Sequence, residues 1–181
     1  MSGRPTLLAV VLALAAPLRA EPPLPSPVEA PRIVVKKARR ELLLFSGETL
    51  LRTYRVGLGF NPVPPKVRQG DGATPEGRYF VCRKNPRSQF LLSLGLNYPS
   101  AADADRGLAA GLVTRGQHRR IVEAERRGTC PPWDTRLGGE IFIHGRGSSS
   151  DWTWGCVALD DGDVRELYAR IPVGTPVLVE P

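Results

Sequence analysis

The chain has 181 residues, of which 41% are hydrophobic, and a net charge of +7. This length fits one domain with a real core, since domains typically span about 100–200 residues. The basic residues are spread along the chain, and a diffuse positive charge favours contact with anionic polymers or anionic lipid. Nucleic-acid binding is not expected, because the sequence has no aromatic-basic recognition motif.

The first twenty residues have the layout of an export signal. Arg4 supplies the positive start, residues 7–18 are continuously apolar, and Ala20 suits the last position of the signal. The apolar stretch is shorter than the roughly 20 residues of a transmembrane helix. We therefore expect residues 1–20 to be removed on export, leaving no membrane span; an uncleaved N-terminal anchor is the alternative. Removing Arg4 and Arg19 lowers the net charge from +7 to +5.

Residues 21–31 are rich in proline and predict an extended linker, so the folded domain is expected over residues 32–181. Short apolar and β-branched runs predict a series of strands. These strands are expected over residues 32–37, 41–45, 49–59, 77–83, 90–96 and 140–144, with a closing strand after Pro172. A hairpin turn is predicted at residues 46–48, and residues 61–75, rich in Pro and Gly, predict a loop.

Helical patterns are fewer. Residues 101–112 are rich in alanine, and residues 117–127 carry charges at helical spacing. Asp160 or Asp161 is expected to cap a helix that runs to residue 170. Together the elements predict a β-rich α+β domain of mixed sheets or a sandwich of short strands, with a few short helices.

The chain has three cysteines, an odd number for an exported protein. In an oxidising compartment, Cys82 and Cys130 can pair while Cys156 stays free. Two alternatives stay open: all three cysteines are reduced, or Cys156 itself lies in a disulfide. The sequence contains no C-x-x-C and no H-x-x-x-H, so we do not expect a zinc site.

A histidine and a cysteine near the C-terminus form the main candidate site. His144 ends the apolar run 141–143, and Cys156 follows Gly155 after a Gly/Ser-rich loop. A thiol becomes nucleophilic only when it is deprotonated, and His144 is the nearby base of suitable pKa. The backbone N–H groups of Gly155 and Cys156 suit the oxyanion of a tetrahedral intermediate. The carbonyl of Gly145 suits the role of orienting the imidazole.

Each residue, taken alone, also has a structural interpretation. A free cysteine such as Cys156 is often a buried core thiol, and His144 fits a hydrogen-bonded core histidine. The second histidine, His118, lies among arginines on a predicted helix. We expect it to be solvated and not catalytic.

Several ordered motifs resemble the L,D-transpeptidases of the YkuD type. Residues 144–145 and 153–156 are similar to that family's His-Gly and its Ser/Thr-His-Gly-Cys signature. Residues 66–79 resemble its Lys…Gly-Asp…Thr-Pro-Glu-Gly element, and residues 94–99 resemble a segment of one branch. The resemblance covers residues 32–181.

This resemblance implies a β-rich enzyme of the periplasm or cell envelope that acts on peptidoglycan stem peptides without a cofactor. Cys156, deprotonated by His144, would attack the carbonyl of the third stem residue. The bond to the fourth residue, or to an attached cell-wall-linked protein, would break, and an amine or water would complete the reaction. An L,D-carboxypeptidase or amidase is one alternative, and a non-catalytic wall-binding module is another.

Further residues are expected to bind substrate. Arg146 and Lys66 suit a substrate carboxylate, although either fits surface charge equally well. Thr153 and Trp154 lie beside the nucleophile. Trp152 and Trp154 flank it, and each tryptophan suits a cleft wall or a loop anchor. Tyr98 is the fifth candidate, although a Tyr-Pro turn is usually only a turn.

The sequence departs from the family pattern near the nucleophile. Trp154 stands where a second histidine is usual, and Ala158 stands where Arg or Asn is usual. The loop from His144 to Cys156 is also shorter than in typical members. These differences favour the branch with hydrolytic relatives, the ErfK/YafK-like group.

Overall fold

Eight strands form one mixed, curled sheet in the computed structural model, which describes residues 22–181. The predicted signal at residues 1–20 lies outside the described residues. The strands are β1 (Pro31–Lys36), β2 (Glu41–Ser46), β3 (Thr49–Arg55), β4 (Gly77–Ser88), β5 (Leu91–Leu96), β6 (Phe142–His144), β7 (Val157–Ala158) and β8 (Pro176–Glu180). The helices are α1 (Ala101–Ala109), α2 (Arg115–Arg126) and α3 (Asp161–Arg170). The predicted fold class, a β-rich α+β domain, is confirmed.

The strand order across the sheet is β3-β2-β1-β8-β4-β5-β6-β7. Two neighbouring pairs, β1 with β8 and β6 with β7, are parallel, and the others are antiparallel. The long strand β4 joins the two halves, because residues 77–80 pair with β8 and residues 81–88 pair with β5. The sheet therefore carries β4, β5, β6 and β7 side by side at one end.

The main hydrophobic core lies between this sheet and α3. Val81, Leu94 and Ile143 contribute from the strands, and Val164 and Leu167 contribute from α3; all five are buried. Burial of such side chains is the main favourable contribution to folding. It fixes the position of the strands that carry the candidate site.

The N-terminal segment differs from its prediction as a linker. Residues 22–30 have no regular helix or strand, yet Leu24 is only 6% exposed and Val28 only 5% exposed. Leu24 belongs to the main core, and the Arg52 guanidinium donates a hydrogen bond to the Pro22 carbonyl. Because the segment is rich in proline, its sequence did not indicate that these two apolar side chains are buried. Their burial holds the segment against the domain.

Helix boundaries follow from capping chemistry. α1 begins after Ser100, which forms a capping box with Asp103, and α2 begins after Thr114, which forms one with Gln117. The second box explains why α2 starts at Arg115, two residues before the predicted start. None of the described helices is long and apolar enough to cross a membrane.

A disulfide ties the helical hairpin of α1 and α2 to the sheet. Cys82 in β4 is bonded to Cys130, which follows α2, with their Cα atoms 5.1 Å apart. Cys156 is the free cysteine of the described chain. The hairpin also has a small core of its own, formed by Ala104, Val113, Ile121 and Leu137.

Candidate active site

Parallel pairing of β6 with β7 brings the histidine and the free cysteine to one face of the sheet. Ile143 pairs with Val157, and His144 pairs with Ala158. Extending this register by one residue before Ile143 and Val157 places Cys156 opposite Phe142, on the face that carries His144, because side chains alternate between faces. The Phe142 N–H lies 3.4 Å from Cys156 Sγ, which agrees with that placement.

A cleft of about 630 Å³ opens at this end of the sheet, and both His144 and Cys156 line it. The other lining residues come from the 66–70 loop, the β4–β5 turn, the segment after the disulfide and the loop before Cys156. They are Lys66, Gln69, Gly70, Gln89, Phe90, Trp133, Gly138, Gly139, Glu140, Ile141, Trp152, Thr153 and Trp154.

His144 is held in one orientation. Its side chain is only 1% exposed, and Nδ1 lies 2.7 Å from the Gly145 carbonyl oxygen. Since a carbonyl can only accept, Nδ1 carries the proton and Nε2 is left as the basic nitrogen. Phe90 stacks on the imidazole at 4.3 Å between ring centroids, and Trp152 packs against it at 5.6 Å. Burial lowers the pKa of His144, so the ring is neutral at pH 7.

Cys156 rests as a neutral thiol. Burial raises the pKa of the Cys156 thiol to about 11, against the opposing effects of the Phe142 N–H and the Lys66 charge. The thiol donates weakly to the Glu140 carbonyl, with Sγ and O 3.5 Å apart. A neutral thiol and a neutral imidazole in one cleft require the proton to move during the reaction rather than before it.

The loop before Cys156 is organised by the Thr153 hydroxyl. This hydroxyl donates to the Cys156 carbonyl at 2.8 Å and accepts from the Gly155 N–H at 3.1 Å. The Gly155 N–H is therefore occupied, which corrects the expectation that it faces an oxyanion. The Cys156 N–H has no acceptor among residues 22–181 and is the donor left for that role.

Gly155 has a steric function instead. Its φ is +125°, and a Cβ placed there would lie 2.6 Å from the Ala73 carbonyl oxygen. Any side chain would strain the backbone and collide with Ala73. The glycine thus lets the loop pass close enough to bring Cys156 into the cleft.

Two aspartates at the start of α3 anchor the loop after His144. Asp161 accepts from the Arg146 N–H at 2.9 Å, and Asp160 accepts from the N–H and hydroxyl of Ser148 at 2.9 and 3.1 Å. Sequence reasoning treated these aspartates only as helix caps. Gly145 fits tightly between Asp161 and Phe90, since a Cβ there would lie 2.8 Å from Asp161 Oδ1 and 3.0 Å from the Phe90 carbonyl oxygen.

Lys66 is buried and paired, so it is not a surface charge. Its ammonium lies 2.8 Å from Asp71 Oδ1 and 3.1 Å from the Arg68 carbonyl. Burial acts to raise the pKa of Asp71, but hydrogen bonds from Lys66 and three backbone N–H groups outweigh it and lower that pKa overall. Lys66 thus forms one wall of the cleft with its charge already engaged.

Of the other predicted substrate-binding residues, Trp154 lies at the cleft, whereas Tyr98 and Arg146 do not. Trp154 is 69% exposed at the cleft rim and packs edge-to-face on Phe60 at 4.8 Å. Tyr98 is fully buried and donates to the Leu137 carbonyl at 3.1 Å, away from the cleft. Arg146 is exposed and does not line the cleft. His118 lies on the helical hairpin, paired with Asp105 at 2.6 Å and likewise outside the cleft.

Sequence reasoning missed Phe90 as a partner of the site, and it weighed Trp152 as a cleft wall or a loop anchor rather than as a partner of His144. Phe90 contacts His144 because β5 and β6 are neighbours, and Trp152 contacts it because the loop folds back. The only signal in the sequence was an aromatic residue at the start of an apolar run. That pattern is common in ordinary cores.

A family model for the L,D-transpeptidase catalytic domain, YkuD, matches residues 30–179. The chain therefore belongs to this family, as its C-terminal motifs predicted. The family's members are cysteine-based L,D-transpeptidases that act on peptidoglycan.

Solved structures share the fold at low sequence identity. Bd1075 from Bdellovibrio bacteriovorus matches with 23% identity and a TM-score of 0.55, over 84% of this chain and 48% of its own. The helical cell shape determining protein Pgp2 from Campylobacter jejuni matches with 20% identity and a TM-score of 0.56, over 83% and 47%. An L,D-transpeptidase from Xylanimonas cellulosilytica matches with 16% identity and a TM-score of 0.52, over 88% and 64%.

This chain therefore spans about half the length of the first and second of these proteins. A comparison with curated proteins gave no match.

Proposed function

We propose that this chain is an exported cysteine enzyme that acts on peptidoglycan stem peptides through an acyl-enzyme, as an L,D-transpeptidase at the third stem residue. The observation that supports this most directly is the shared cleft of Cys156 and His144, with His144 Nδ1 held by the Gly145 carbonyl. That arrangement supplies a nucleophile, a base and a fixed tautomer without an acidic third member.

In the proposed acylation, His144 Nε2 takes the thiol proton as Cys156 Sγ attacks the carbonyl carbon of the third stem residue. The Cys156 N–H donates to the oxyanion. When the intermediate collapses, the carbon–nitrogen bond breaks and the imidazolium gives its proton to the leaving amine. The products are a thioester on Cys156 and a free terminal amino acid, or an attached protein with a free amine.

In the proposed second step, a neutral amine attacks the thioester carbon and gives a proton to His144 Nε2. The carbon–sulfur bond breaks, and the Cys156 thiolate takes that proton back. The product is a new amide, either a cross-link or an exchanged terminal residue. If water replaces the amine, the product is the shortened stem peptide as a carboxylic acid, and the enzyme is an L,D-carboxypeptidase.

Location in the periplasm or cell envelope is part of the proposal. A structural disulfide between Cys82 and Cys130 is typical of an oxidising compartment. The export signal expected at residues 1–20 and the diffuse positive charge point the same way. A role in cell shape is included because the Campylobacter protein with this fold is described as determining cell shape.

The test is mass spectrometry of tetrapeptide muropeptides incubated with wild type and with Cys156→Ala. Cross-linked dimers or exchanged terminal residues, formed only by wild type, support the transpeptidase. Loss of the terminal residue alone supports the carboxypeptidase. No change with wild type overturns the enzymatic proposal in favour of a wall-binding module, which Cys156→Ala would leave able to bind sacculi.

A matched pair of histidine variants separates chemistry from folding. His144→Ala is expected to abolish product formation. His118→Ala is expected to leave it unchanged, because His118 pairs with Asp105 on the helical hairpin, outside the cleft.

A further inference from the structure

A second cavity of about 330 Å³ adjoins the cleft. Three residues, Gln89, Phe90 and Glu140, line both spaces. The rest of its lining comes from β4, β5 and the start of β6: Arg83, Asn85, Ser88, Ser93 and Phe142. The cleft that holds the thiol therefore borders a second compartment along these three residues.

The sheet register places this compartment on the face that carries the nucleophile. Arg83 pairs with Gly95, and Gly95 pairs with Phe142. Extending the β6–β7 register puts Cys156 opposite Phe142, so the four residues form one row across the sheet. Side chains in one row point to the same face.

The absence of a side chain at Gly95 leaves room for the stem of Arg83 over this row. A Cβ on Gly95 would lie 2.7 Å from Arg83 Cγ and 3.0 Å from Phe142 Cε1. The guanidinium lies 5.8 Å from the centre of the Trp133 ring. Arg83 is exposed, and no carboxylate among residues 22–181 forms an ion pair with it, so its guanidinium is available to an anion from solution.

Glu140 supplies the opposite charge between the two spaces. Its side chain is exposed, and its carboxylate has neither a hydrogen bond nor an ion pair within the described part of the chain. It lies close to the nucleophile, because its carbonyl accepts from Cys156 Sγ and its charge disfavours the thiolate. Ser93, 2% exposed, adds a hydroxyl that lacks a partner among residues 22–181.

We propose that this second cavity binds the terminal amino acid on the amine side of the scissile bond, with its free carboxylate. Arg83 binds the carboxylate, and Glu140 binds the nitrogen. The inference rests on the proposed function. The amine that leaves during acylation and the amine that attacks the thioester must occupy the same position, since the second step reverses the first. Arg83 suits the carboxylate of that residue, and the Glu140 carboxylate can accept a hydrogen bond from its nitrogen, which is an amide N–H before cleavage and an amine afterwards.

The experiment compares two synthetic tetrapeptide muropeptides that differ only at the C-terminus, one a free acid and the other a carboxamide. We measure kcat/KM for release of the terminal residue, a step common to transpeptidase and carboxypeptidase. Wild type is expected to prefer the free acid by about tenfold to a hundredfold, the range for hydrogen bonds to a charged group. Arg83→Gln is expected to reduce this preference to near one, and Arg83→Lys to retain part of it.

Arg87→Gln is the matched control, because Arg87 lies on the same hairpin, is exposed and lines neither space. It is expected to keep the wild-type preference. Alkylation of Cys156 by iodoacetamide, a neutral reagent, checks that Arg83→Gln leaves the thiol and the fold intact. Full preference for the acid in an intact Arg83→Gln enzyme overturns this inference alone. Release from neither substrate by wild type overturns the proposed function as well.

Discussion

The ring of Phe90 stacks on the imidazole of His144, with the centroids 4.3 Å apart and the planes 21° from parallel. Together with the Gly145 carbonyl at Nδ1, this contact fixes both the rotation and the plane of the imidazole. It also covers one face of the ring, which contributes to the burial that lowers the pKa of His144. The base is thus oriented by an aromatic side chain and a backbone carbonyl.

Replacing Phe90 by Leu is expected to lower kcat by about tenfold, because a loosely held base loses alignment with the thiol. A neutral His144 is needed as the base, so activity is lost as the pH falls through its pKa. In wild type the acidic limb of the pH profile should lie below the ordinary pKa of histidine. In Phe90→Leu this limb should move to higher pH as water reaches the ring. The pH profile of kcat/KM measures it.

Phe60→Leu is the control for that profile. Phe60 packs on Trp154 at the rim rather than on His144, so its removal should leave the acidic limb in place. An unmoved limb in Phe90→Leu would show that Phe90 does not shield the base.

The free enzyme should alkylate as a neutral thiol. Because burial raises the pKa of Cys156 to about 11, the thiolate fraction rises about tenfold per pH unit through neutrality. The rate of iodoacetamide alkylation is expected to climb with this slope from pH 7 to 10. A rate that is already flat at pH 7 would instead indicate a preformed thiolate–imidazolium pair.

The Thr153 hydroxyl is expected to be needed for the nucleophile loop. Thr153→Val removes its bonds to the Gly155 N–H and the Cys156 carbonyl and leaves a buried N–H unpaired. The free energy of unfolding should fall by about 1–3 kcal/mol, and kcat should fall with it. Thr153→Ser keeps the hydroxyl and should stay near wild type in urea unfolding and in turnover. Equal stability of the Val and Ser variants would contradict the assigned role.

The disulfide is expected to stabilise the cleft wall as well as the fold. Cys82 and Cys130 lie 48 residues apart, and closing a loop of that length contributes about 2–4 kcal/mol. The free energy of unfolding of the Cys82→Ala, Cys130→Ala double variant, measured in urea, should be lower by that amount. Its turnover should also fall, since Trp133 and Gly138 follow Cys130 closely and line the cleft. Wild-type turnover in the double variant would show that the wall holds without the crosslink.

Much of the fold followed from local pattern. Short β-branched runs between turn residues predicted most of the strands, because alternation and turn chemistry are local properties. The linker prediction missed the burial of Leu24, since only a surface elsewhere in the chain makes that burial possible. Tyr98 was a candidate by motif, but its position under the helical hairpin gives its hydroxyl to Leu137 instead.

The sequence by itself determined the chemistry available: one histidine after an apolar strand, one cysteine after a glycine, and the motifs of the L,D-transpeptidase family. The tertiary structure decided which residues surround the histidine and the cysteine and in which protonation state the thiol rests. Sheet order places β5 between β4 and β6, which brings Phe90 to the base and Arg83 to the row of the nucleophile. The protonation state of Cys156 also depends on burial and on charges distant in sequence. These contacts join residues far apart along the chain, and no local pattern encodes them.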